Sequence, residues 1–123
     1  MVIITNNPMV KENITKKCIF FKDKTYVEVL KECRKLIHEG YELLSHPLYG
    51  SVKPNETPFR SVIMKEGKSL DLNSVTLIEE AINTAEKFQG NKNTPNWPEK
   101  ILDDFIVIDY DIFNNTLKRI QYI

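Results

Sequence analysis

"FIVIDY", residues 105–110, decides how many strands this chain has. Phe105, Ile106, Val107 and Ile108 form an unbroken apolar run rich in β-branched side chains. Such a run reads as a strand covered on both faces. The segment before it, "NWPEKILDD", restarts a helix, with Asn96 as cap, Pro98 in the first turn and Glu99 three residues after the cap. The segment after it, "DIFNNTLKRIQYI", reads as a closing helix or an irregular tail. On this reading residues 105–110 are the last strand of an α/β sheet.

The upstream sequence fits that frame. "VIIT" (Val2 to Thr5) is a short buried strand stopped by Asn6-Asn7-Pro8, and Pro8 suits the first turn of a short helix, "PMVKEN". "CIFF" (Cys18 to Phe21) is a second strand. In "TYVEVLKECRKLIHEG", Thr25 and Glu28 have capping-box spacing, and Tyr26, Val29, Leu30, Cys33, Leu36 and Ile37 recur at helical intervals before Gly40 stops the helix. "YELL" (Tyr41 to Leu44) and "RSVIMKEG" (Arg60 to Gly67) read as the third and fourth strands. Val75, Ile78, Ala81, Ile82, Ala85 and Phe88 mark a second long helix, followed by a surface loop, "GNKNTPN".

Strands alternating with helices predict an α/β fold: a small three-layer sandwich with a mostly parallel, mixed sheet of about five strands, Rossmann-like, in a single domain over residues 1–123. The link between the third and fourth strands has no helical periodicity, so the fourth is expected antiparallel to the third.

Composition narrows the functional classes. Lys+Arg equals Asp+Glu at 17 each, so there is no cationic surplus for nucleic acid. The basic run "KENITKK" (Lys11, Lys16, Lys17) reads as a solvated connection. No apolar run approaches the roughly 20 residues of a membrane span, and "MVIITNNP" lacks the features of a signal peptide. A cytoplasmic protein is expected, with Cys18 and Cys33 as free thiols. Two separated cysteines and two separated histidines do not make a closed metal site, so neither metal nor cofactor is expected. Phosphate-loop, dinucleotide, zinc-protease and nucleophile-elbow motifs are absent from the sequence.

"SHPLYGSVKPNETPFRS", residues 45–61, is the candidate working surface. It carries three of the chain's six prolines and one of its two histidines. In open α/β sheets ligands sit beyond the carboxyl ends of parallel strands. That rule brings residues 5–8 and 45–61 to one rim, with Asn6, Asn7, His46, Ser51, Lys53, Asn55, Glu56 and Arg60 as candidate ligand- or partner-binding residues. Plainer roles stand beside these. Asn6-Asn7-Pro8 makes a turn and caps a helix, and His46 bonds the backbone. Cys33 is a small core residue, and His38 suits a helix C-terminus. Asp109 and Asp111 flank the last strand and read as a solvated rim rather than a cation site.

The whole chain also resembles a known family. "IITNNPMVKE", "HPLYGSVKPNETPFRSVIM", "LIEEAI" with "EKF", and "WPEKILDDF" are similar to the GrdX-type proteins, which are encoded with the glycine reductase system of amino-acid-fermenting anaerobic bacteria. The resemblance implies a cytoplasmic setting beside reductive, selenium- and thiol-dependent amino-acid metabolism. It carries no catalytic residues with it, and the chain lacks the paired thiols of a redox carrier.

Two readings of function follow. In the first the chain is a binding or accessory protein, whose rim recognises a reductase-system protein or a small ligand. In the second it is a small enzyme or sensor for a small anionic metabolite: Lys53 or Arg60 holds the anion, His46 moves a proton, and Asn6 or Asn7 orients the substrate. Catalytic residues stay unassigned, and a homodimer stays open.

Overall fold

The computed structural model describes residues 1–48, 54, 56–91 and 94–121. In chain order the elements are β1 (Val2–Thr5), α1 (Pro8–Asn13), β2 (Lys17–Phe20), α2 (Tyr26–His38), β3 (Glu42–Leu43), β4 (Ser61–Lys65), α3 (Leu72–Asn91) and α4 (Glu99–Gln121). The described strands form one sheet in the order β2-β1-β4-β3.

The pleat sorts the core into two halves, because successive strand residues face opposite ways. Val2, Ile4, Val62 and Met64 face α2 and α3, packing with Tyr26, Val29, Leu30, Ile37, Ile78 and Ile82. Ile3 and Ile63 face α1 and α4, packing with Val10, Phe113 and Leu117. Helices therefore cover both faces of the sheet.

The sheet itself departs from expectation. It has four strands rather than about five, and only β1 with β2 is parallel. β4 runs antiparallel to β1 and to β3. The antiparallel step from β3 to β4 was expected, whereas a mostly parallel, Rossmann-like sheet is not what forms.

Residues 105–110 are the reason. They lie inside α4, a helix of 23 residues. No glycine or proline interrupts Glu99–Gln121, so nothing stops the helix once it has started. Ile106, Tyr110, Phe113, Leu117 and Ile120 recur at intervals of three and four, the period of a helix face. Phe113 is fully buried, whereas Val107 is 44% exposed and Ile108 is 40% exposed. A strand buried on both faces forbids that contrast. Asn96 does not cap α4; the Pro98 carbonyl accepts from Leu102 N at 3.0 Å and opens its first turn.

The ends of α2 follow local chemistry. Thr25 and Glu28 form a reciprocal capping box. At the other end Gly40, at φ 104°, donates to Ile37 O, and Tyr41 N donates to Leu36 O, both at 3.0 Å. This is a Schellman closure, which favours glycine in the left-handed region. The "YELL" strand shortens to Glu42–Leu43 because Ser45 intervenes. Its Oγ accepts the Ile63 N–H at 2.9 Å, replacing a ladder carbonyl.

A substitution pair separates helix from strand. Phe113→Ala is expected to lower unfolding free energy by about 3–5 kcal/mol. Val107→Ala is expected to cost under about 0.5 kcal/mol, as surface changes do. Denaturant titration followed by circular dichroism reads both. A cost at Val107 matching that at Phe113 would restore the buried-strand reading.

Candidate functional site

β1 ends in three polar residues that all turn inward. Thr5 and Asn7 are fully buried and Asn6 is 5% exposed. Asn7 caps α1, its Oδ1 accepting from Met9 N at 3.0 Å. Its amide donates to Asp109 Oδ2 at 2.9 Å and to Ile106 O at 3.0 Å. One asparagine thus starts α1 and docks α4.

Asp109 is the centre of this network. α4 carries it against the start of β4, where Ser61 Oγ donates to Oδ2 at 2.7 Å. Ser61 Oγ also lies 2.6 Å from Thr5 Oγ1, which itself accepts from Asn7 N at 2.9 Å. A carboxylate only accepts, so the Ser61 proton points to Asp109 and the Thr5 proton to Ser61. Such a chain of hydroxyls strengthens each bond by polarising the next.

Arg60 supplies the opposite charge. Its Nη2 lies 3.3 Å from Asp109 Oδ1 and its Nη1 donates to Tyr26 OH at 3.0 Å. The guanidinium also stacks over the Tyr26 ring, 5.4 Å from the centroid. Arg60 is 4% exposed and Asp109 is 5% exposed. Burial raises the Tyr26 hydroxyl pKa above its ordinary value, with the neighbouring Arg60 acting in the other direction.

Asn6 clamps three segments together. Its amide donates to Lys24 O at 2.9 Å and to Pro58 O at 2.8 Å, and its Oδ1 accepts from Arg60 N at 2.9 Å. The loop before β4 is held further out as well. Gln89 Nε2 donates to Pro54 O at 3.2 Å and to Thr94 Oγ1 at 2.9 Å. Trp97 Nε1 donates to Glu56 O at 2.7 Å, and its ring packs tilted on Phe105. Beside these ties an open cleft of about 750 Å³ lies past the carboxyl ends of β1 and β2. Tyr26, Val27, Pro58, Phe59 and Leu102 give it apolar walls, and Lys22 and Glu86 are among the charged residues lining it.

Among the sequence candidates, Asn6, Asn7 and Arg60 come together, but their side chains are engaged in internal bonds. Arg60 is not displayed to meet a charged group. His46 is exposed, and its Nδ1 accepts from Leu48 N at 3.0 Å, which is the plainer backbone role. Glu56 is exposed, and its carbonyl accepts from Trp97 Nε1. Ser51, Lys53 and Asn55 lie outside the described residues. Asp109 is not a solvated rim residue. Asp111, two positions on along the helix, is exposed and faces away, so the two share no cation site. Sequence reasoning left Asp109 and Tyr26 out of the candidate set. The available signal was an acid inside an apolar helical stripe, visible only once residues 105–110 are read as helix.

Among the described residues no group of three or more His, Cys, Asp or Glu could hold a metal ion, and no helix is long and apolar enough to cross a membrane. Burial raises the thiol pKa of Cys18 and of Cys33, so neither is an activated nucleophile.

Fold and site together define a small α/β protein in which Asn6, Asn7 and Arg60 are spent on internal bonds beside an open, mainly apolar cleft. The chain belongs to the GrdX-like protein family, whose family model matches residues 2–118. No curated protein and no solved structure matches it.

Asp109→Leu is expected to lose about 3–5 kcal/mol, because it strips a buried guanidinium of its carboxylate. Combining it with Arg60→Met should recover much of that loss, and a double-mutant cycle in denaturant measures the difference. A second test uses pH. Tyr26 binds its proton more tightly folded than unfolded, so its contribution is present below the unfolded tyrosine pKa of about 10 and is lost as pH rises through the folded value. Tyr26→Phe should flatten that alkaline fall in melting temperature; an unchanged slope counts against a buried Tyr26 hydroxyl.

Proposed function

We propose that this chain is a binding or accessory protein of glycine reductase-type amino-acid metabolism, and that it recognises its target at the rim formed by residues 5–8 and 45–61. Membership of the GrdX-like family supports the metabolic setting. The observation that carries the binding role is the cleft of about 750 Å³ at this rim, with Asn6, Pro58 and Phe59 among its lining residues. A pre-formed, largely apolar concavity with a few polar groups is how recognition sites are built. Phe59 and Pro58 form one wall, and Asn6 fixes that wall through the Pro58 carbonyl. Holding the wall in place lowers the ordering cost of binding.

The alternative, a small enzyme or sensor acting on an anionic metabolite, loses several of the groups it named. Arg60 is paired with Asp109, and the Asn6 and Asn7 amides are engaged inward. Its remaining support is Lys22 and Lys24 beside the cleft, although Lys24 is already paired with Glu32 at 3.4 Å.

Pull-down from native lysate, with mass spectrometry of proteins and small molecules together, tests the proposal. Phe59→Asp changes the cleft wall and leaves the buried pair alone. It is expected to cut capture of a glycine reductase-system protein by about tenfold or more, the loss of one aromatic anchor. Capture of the same partner in undiminished yield would move the site elsewhere. Capture of an anionic metabolite with no protein would favour the enzyme or sensor.

A further inference from the structure

α4 has a second apolar stripe that faces away from the sheet. Ile101, Phe105, Ile108 and Ile112 recur at intervals of four, three and four residues. That is the spacing of a helix-pair seam. Ile108, at its middle, is 40% exposed, and the others are half-buried at its margins. Asp104, Asp111 and Lys118 follow one edge of this stripe at seven-residue spacing, all exposed. None of the three has an ion-pair partner among the described residues.

We propose that α4 pairs with α4 of a second copy of this chain, antiparallel, across a two-fold axis near residue 110. The charges select both the occupant and its direction. A parallel two-fold pair would put the two charged rows on opposite sides of the seam, where Asp104 and Lys118 could not meet. The antiparallel register sets Ile108 against Ile112 of the second copy. It also brings Asp104 level with Lys118 of the second copy, within about 3 Å along the axis at 1.5 Å rise per residue. The two-fold makes that contact twice, as an isologous interface requires. Asp111 then lies near its own copy at the axis, a like-charge contact that limits affinity. This inference does not depend on the function proposed for the rim.

Analytical ultracentrifugation of the full chain over a wide concentration range tests it. A concentration-dependent dimer is expected. Ile108→Glu should give a monomer with an unchanged circular dichroism spectrum. Lys118→Glu should weaken the dimer by about tenfold, since two attractive contacts become repulsive. Adding Asp104→Lys to Lys118→Glu should restore it, and Asp111→Asn should tighten it. A wild-type chain that stays monomeric throughout, a dimer that survives Ile108→Glu, or indifference to Lys118→Glu would each overturn the proposal.

Discussion

The contact between Asp109 and Arg60 seats α4 on the sheet. Both charges are about as buried as the core around them, so each carries a desolvation cost of several kcal/mol. The network offsets it with hydrogen bonds from Ser61, Asn7 and Arg60 to the carboxylate. The gain in stability is modest by that arithmetic, whereas the gain in definition is large. α4 has apolar side chains on more than one face, so hydrophobic burial alone would let it dock in several rotations. Turning the helix by one residue swings Asp109 about 100° away from Ser61 and leaves two charges buried apart. One rotation satisfies the carboxylate, and that rotation puts Phe113 and Leu117 inside.

The rim depends on the same residues. Arg60 reaches Asp109 through its side chain and Asn6 through its backbone N–H. Asn6 in turn bonds Lys24 O and Pro58 O, so the turn before α2 and the segment before β4 are fixed from one point. Gln89 and Trp97 tie the same segment from outside, using backbone carbonyls rather than charges. The segment's prolines cannot donate to a ladder, and their carbonyls are what remain to be bonded. This explains how a proline-bearing stretch packs against the sheet without joining it.

Local elements were legible in the sequence, whereas the sheet was not. The capping box at Thr25 and Glu28, the glycine stop at Gly40 and the apolar stripes of α2 and α3 rest on local rules, and those elements stand as read. Residues 105–110 failed because a short apolar run carries no period of its own. Phe, Ile, Val and Ile in succession satisfy a buried strand and a helix equally. The arbiter was longer range: Tyr110, Phe113 and Leu117 continue the helical spacing, and no breaker lies between. Asp109 went unrecognised for the same reason. In a strand it has an exposed edge to occupy; in a helix its direction follows from Phe113, four residues on, and it must find a partner. Arg60 was singled out for its charge and its place next to prolines. Sequence could not show that its partner waits 49 residues downstream.

Tyr26 joins the two halves of the molecule. It is among the residues lining the cleft, and its hydroxyl meets Arg60 in the core. The Arg60 guanidinium stacks on that residue's ring and pairs with Asp109, which seats α4. The outer face of α4 carries the stripe proposed for self-association. Cleft, tyrosine, arginine, aspartate and helix are therefore joined by direct contacts. A rigid path of this kind passes on a displacement only when its far end has a second arrangement to adopt. The rotation argument supplies a reason against one: a single docking of α4 satisfies Asp109. The buried pair thus makes the cleft wall a fixed surface, and under the binding role proposed for it that wall would recognise a shape rather than switch between two.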